Sequence, residues 1–111
     1  MAGRCAEAHG KFWPMHDAMY ADQSKLSEAD LVKTAARLGL NQTNFSSCLK
    51  SGDYGAAIRQ DVANGTSVGV NGTPAFFING QFLSGSVPEA QFDQIIDSEL
   101  AALKNNVLAS R

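Results

Sequence analysis

"GVNGTPAFFINGQFLSG", residues 69–85, carries the densest pattern in the chain. Two mostly apolar runs, Ala75–Ile78 and Gln81–Ser84, flank the pair Asn79-Gly80. Asn-Gly tolerates positive φ at both central positions of a two-residue loop, as a type I′ turn demands, so the stretch predicts a β-hairpin. Thr73 precedes a proline, whose ring disfavours the α region for the residue before it, so Thr73 is expected to be extended. Only about 5–6% of X-Pro bonds in folded proteins are cis, and these residues by themselves favour trans.

Outward from the hairpin the chain is helical. Residues 3–20 are rich in Ala, Glu, Met and aromatics and are punctuated by Gly10 and Pro14, which predicts two short helices with a bend. Ser27 offers a capping hydroxyl ahead of Glu28 and Asp30, with Leu31, Val32, Ala35, Ala36 and Leu38 at helical spacing and Gly39 as the stop. Asn41 or Thr43 caps a shorter helix carrying Phe45, Cys48 and Leu49, which Gly52 ends. Asp53 then opens another, along which lie Tyr54, Ala57, Ile58 and Val62. After the hairpin, Pro88 and Glu89 begin a last helix whose Phe92, Ile95, Ile96, Leu100 and Leu103 form one apolar stripe, and Lys104–Arg111 reads as a fraying tail. The one further strand candidate is Ser67–Val70. A two-stranded hairpin is marginal in water, so at least one strand edge is expected to stay open to another chain.

The bulk composition narrows the function classes. A chain of 111 residues that is 44% hydrophobic is the size of one domain. Nine Lys plus Arg against eleven Asp plus Glu give a net charge of −2 with no basic block, which argues against nucleic acid or an anionic membrane as partner. No run approaches the roughly 20 apolar residues of a membrane helix, and residues 1–10, MAGRCAEAHG, lack the apolar core of a signal peptide.

Three segments, "CAEAHGKFWPMHDAMY", "LVKTAARLGLNQTNFSSCL" and "GVNGTPAFFINGQFLSGSVPEAQFDQII", taken in this order, resemble the DsbA-like branch of the thioredoxin superfamily from about Cys5 to Leu103. The resemblance implies an α/β (α+β) fold of truncated thioredoxin-like type: a helical insertion over about residues 3–68, then a cis-proline loop, β-hairpin and C-terminal helix over about 69–103, all one partial domain spanning 1–111. It implies that Gly72, Thr73 and Pro74 face a substrate peptide, with the Thr73-Pro74 bond cis. It also implies thiol-disulfide chemistry in a periplasmic or other extracytoplasmic compartment, with no cofactor.

The family carries its redox chemistry on a Cys-x-x-Cys motif at a helix N-terminus, where the helix dipole lowers the first thiol's pKa. Here the cysteines are Cys5 and Cys48, and the motif is absent. The chain therefore reads as the C-terminal two-thirds of a DsbA-like protein, inactive alone: the peptide rest without the nucleophile. Cys5 and Cys48 lie where the resemblance suggests a structural disulfide, worth about 3–4 kcal/mol in the chain-entropy picture; the residues alone equally allow two buried free thiols.

Other candidates are weaker. Cys5 and His9 are one turn apart, but Gly10 and Pro14 break the path to His16, so no metal site is expected. His16-Asp17 lacks an accompanying nucleophile motif. Phe12, Trp13 and Tyr20 are expected to pack in the core rather than to form a peptide-binding patch. Asn41, Asn44, Asn64 and Asn71 each head a sequon-like triplet of the kind that arises by chance. An alternative to catalysis is a non-catalytic peptide-binding or assembly module, a homodimer joined through the exposed strand edge and the last helix.

Overall fold

Helix boundaries follow local capping chemistry. The computed structural model describes residues 1–110, with helices α1 (Ala2–Glu7), α2 (Phe12–Ala21), α3 (Glu28–Arg37), α4 (Gln42–Ser51) and α5 (Gly55–Ser67), strands β1 (Ala75–Ile78) and β2 (Gln81–Ser84), and α6 (Glu89–Ala109). Ser27 Oγ accepts the Asp30 N–H at 3.2 Å, and Asn41 Oδ1 accepts the Asn44 N–H at 2.9 Å, so each side chain satisfies a first-turn donor that the helix itself leaves open. Of the two residues offered as caps for α4, Asn41 serves. The helix expected to open at Asp53 starts at Gly55, because the Asp53 carboxylate is engaged by Ser51 Oγ at 2.7 Å.

Two compact units divide the chain, Met1–Val62 and Ala63–Arg111. In the first, α1 buries Ala2, Cys5 and Ala6 at i, i+3, i+4, α2 buries Met15, α3 buries Thr34 and Ala35, and α4 buries Phe45. Three of these residues are alanines, which let helix backbones approach closely around Met15 and Phe45. Met19, Leu31, Val32, Leu38, Leu40, Cys48, Leu49 and Tyr54 pack against this centre from outside. The Cys5–Cys48 disulfide staples α1 to α4 with Cα atoms 6.0 Å apart. Arg4 adds a surface link from α1 to α5, its Nη2 lying 2.7 Å from Asp61 Oδ2.

In the second unit β1 and β2 pair antiparallel, Ala75 opposite Ser84 and Ile78 opposite Gln81. Asn79 and Gly80 take φ of 49° and 83°, the positive values a type I′ turn requires. One sheet face lies against α6: the Phe76 and Phe92 rings meet edge to face at 4.9 Å, and Gln81 and Asn79 donate to the Glu99 carboxylate. Phe77 and Phe82, paired across the strands with ring centroids 5.0 Å apart, occupy the opposite face and stay exposed.

Ser67–Val70 is not a strand: the Gly69 N–H bonds to the Thr66 carbonyl and the Val70 N–H to the Gly65 carbonyl, closing α5 as a Schellman turn around Gly69 at φ 93°. Those backbone donors are spent on the helix and are not offered to a sheet. The segment 104–109, expected to fray, continues α6 to Ala109, and only Arg111 of that tail lies outside the described residues.

Candidate functional site

The loop before β1 is built to leave backbone groups open. Gly69 ends α5, and β1 starts at Ala75, so Asn71–Pro74 is fixed at both ends yet belongs to no helix or strand. The Thr73-Pro74 peptide is cis. The Pro74 carbonyl accepts the Gly85 N–H at 2.8 Å, which extends the hairpin ladder by one bond and anchors the loop to the sheet. Gly72 and Thr73 are exposed, and their N–H and C=O groups have no hydrogen-bond partner among the described residues. An exposed, unpaired stretch running into a strand is a template for an added strand: main-chain bonds supply the affinity, and side-chain pockets the selectivity. Gly72, Thr73 and Pro74 thus come together in one loop.

Cys5 and Cys48 belong to the first unit and are bonded to each other; the described residues contain no free thiol. A thiolate is the nucleophile in disulfide exchange. These two sulfurs, joined across a helix interface with Cys5 buried, have no thiolate to offer. No group of three or more His, Cys, Asp or Glu is placed to hold a metal among the described residues. Two charged groups are visibly tuned by neighbours. Asp61, first by its hydrogen bond and then by its charge, holds the Arg4 guanidinium above its ordinary value. Ser24, through hydroxyl and backbone N–H, holds the Asp22 carboxyl below its own. The Arg4 pair lies at the surface between α1 and α5, and the Asp22 contacts hold the turn after α2; neither is part of a cluster that could form a reaction centre.

The aromatic residues of α2 were expected in the core, and two of them are not there. Trp13 is 66% exposed and Tyr20 67%. The reason is angular: at 100° per residue Trp13 and Tyr20 lie about 140–160° around the helix from Met15, the one α2 side chain that is buried. Phe12 is half-buried, and from it a run of ring contacts climbs the outer face: Trp13 to His16 at 5.1 Å, then His16 to Tyr20 at 4.7 Å. His16 Nδ1 also meets Asp17 Oδ1 at 3.0 Å. The spacing 13, 16, 20 was visible in the sequence; which side of α2 faces inward was not, because a single methionine decides it.

The model of the DSBA-like thioredoxin domain matches residues 1–97. The chain is 42% identical over 84 residues to the Na(+)/H(+) antiporter NhaA 3 of Salinispora tropica, covering 73% of this chain and 13% of that protein. It is 39% identical over 89 residues to the Na(+)/H(+) antiporter NhaA 1 of Salinispora arenicola, covering 78% and 14%. To the Na(+)/H(+) antiporter NhaA of Herminiimonas arsenicoxydans it is 35% identical over 89 residues, with the same coverages. The matched stretch thus spans 13–14% of the length of these relatives. No solved structure matches.

Proposed function

The chain belongs to the DSBA-like thioredoxin domain family, and from that premise we propose that its 111 residues form the peptide-holding part of a thiol-disulfide exchange domain and carry no nucleophile of their own. The observation that carries this reading is the exposed loop at Gly72-Thr73-Pro74, whose open N–H and C=O groups lead directly into β1. A cysteine-containing peptide lies along this loop in extended form, pairing with Thr73, so that its sulfur is presented to an attacking thiolate. That thiolate comes from outside residues 1–111, since Cys5 and Cys48 are spent on each other. A structural disulfide between helices fits an oxidising, extracytoplasmic compartment. The antiporter relatives align with this chain over 13–14% of their own length, and the DSBA-like thioredoxin model that matches residues 1–97 of this chain supports thiol-disulfide chemistry, not ion transport, for these residues. An insulin-reduction assay with dithiothreitol tests the missing nucleophile: the isolated chain gives the rate of dithiothreitol alone. Turnover above that rate, lost in Cys5→Ser, would overturn the reading.

A second reading is favoured by the sheet. With two strands among the described residues, both outer edges are open, and α6 leaves Ile96, Leu100 and Leu103 in water at 41%, 59% and 60% exposure. An assembly module that dimerises through this edge and α6 would cover that surface. Sedimentation at micromolar concentration should then give twice the 11.8 kDa chain mass, and a folded monomer would refute the dimer.

A further inference from the structure

We infer that Asn71 is a self-modification site, at which the Gly72 backbone nitrogen closes on the Asn71 side chain and converts this neutral loop residue to a carboxylate. Three Asn-Gly pairs occur in the chain: Asn64-Gly65, Asn71-Gly72 and Asn79-Gly80. Asparagine is thermolabile through this cyclisation, and a following glycine, lacking Cβ, gives the ring the least steric resistance. Sequence alone ranks the three equally; their surroundings do not.

Asn64-Gly65 lies inside α5, where the Gly65 carbonyl receives the Val68 and Val70 N–H groups at 3.2 and 3.0 Å, so cyclisation must first unwind the helix end. Asn79-Gly80 is held by the hairpin on both sides with φ of 49° and 83°, and Asn79 Nδ2 lies 3.5 Å from Glu99 Oε2. Asn71-Gly72 is in no helix or strand, both residues are exposed, and the space where a Gly72 Cβ would project holds no atom within 4 Å. The Asn71 carboxamide has no hydrogen-bond partner among the described residues.

The step balances without an oxidant. The Gly72 nitrogen gives up its proton and bonds to Asn71 Cγ; the Cγ–Nδ2 bond breaks, and the carboxamide nitrogen leaves as ammonia with that proton. One water then opens the cyclic imide at either carbonyl. One opening gives aspartate; the other gives isoaspartate, in which the main chain runs through the side-chain methylene. Either product places a negative charge two residues before Thr73. This chemistry stands whether or not the loop holds peptides.

The test is peptide mapping by mass spectrometry of folded protein held in mildly alkaline buffer. Asn71 should gain one mass unit first, as paired aspartate and isoaspartate species. Asn64 and Asn79 should follow at least about tenfold more slowly, the factor that a local opening cost of about 1.4 kcal/mol imposes. Gly72 does not have positive φ and has room for a side chain, so Gly72→Leu is accommodated and should slow conversion at Asn71 alone. Conversion of Asn64 or Asn79 as fast as Asn71 would overturn the assignment, as would an unchanged Asn71 rate in Gly72→Leu.

Discussion

Replacing Cys5 and Cys48 together by alanine should lower the stability of the helical unit by about 4 kcal/mol. The bond closes a loop with a sequence separation of 43 residues, and in the chain-entropy account a loop of that size denies the unfolded chain roughly that much freedom. Few other terms can compensate. The buried apolar centre consists of Ala2, Cys5, Ala6, Met15, Ala35 and Phe45, and three of those side chains are single methyl groups. A domain's whole stability is typically about 5–15 kcal/mol, and a unit this small sits toward the low end, so the loss takes most of the margin. Circular dichroism melts with and without reductant, and of the double variant, give the measurement. A fall in midpoint of roughly 15–30 °C corresponds to the expected loss, and reductant should add nothing further to the variant. A shift below about 4 °C, or under roughly 1 kcal/mol, would show that helix packing alone holds α1 against α4.

Phe45→Ala should cost about 3–5 kcal/mol, because a nearly fully buried aromatic ring is replaced by a methyl group in a centre with little left to collapse into the space. Phe45 is 2% exposed and is the largest of the fully enclosed side chains. The informative contrast is Trp13→Ala. By residue type tryptophan should be the more damaging loss, yet Trp13 is 66% exposed on the outer face of α2, and its removal should move stability by no more than about 0.5 kcal/mol. Denaturant titration of the two variants ranks them directly. A reversed order would mean that the α2 aromatic face is packed in solution and that the expectation of core aromatics was right after all.

Where a short stretch of chemistry determines the backbone, the sequence is easy to read. Asn79-Gly80 dictates its hairpin because few residue pairs accept two positive φ values, and Ser27 and Asn41 mark helix starts because their oxygens reach the donors that a helix leaves open. Reading fails where the outcome depends on what a segment touches. Ser67–Val70 has strand-like residues, yet its N–H groups are drawn back into the end of α5. Met15 occupies the inward side of α2, and that alone turns Trp13 and Tyr20 outward. The apolar and charged residues between 89 and 109 are consistent with a shorter helix, and α6 nevertheless persists through Lys104 to Ala109. The candidate site divides along the same line. Gly72, Thr73 and Pro74 stand out as a motif, and their resemblance to a family gave them a role, but only the fold shows that Gly72 and Thr73 keep their backbone groups open while Pro74 is tied to Gly85. The Cys5–Cys48 pairing was a family expectation as well; 43 residues of separation contain no local signal that two helices will meet there.

The central claim, that this chain holds a peptide at the loop before β1, is tested most directly by amide chemical shifts of the labelled chain during titration with an extended peptide whose cysteine is S-methylated. The account predicts saturable shifts centred on Gly72, Thr73 and Ala75, fading along β1 and lost when a proline in the peptide removes its pairing N–H. Shifts confined to Trp13, His16 and Tyr20 on α2, with Gly72–Ala75 unmoved at saturation, would contradict it.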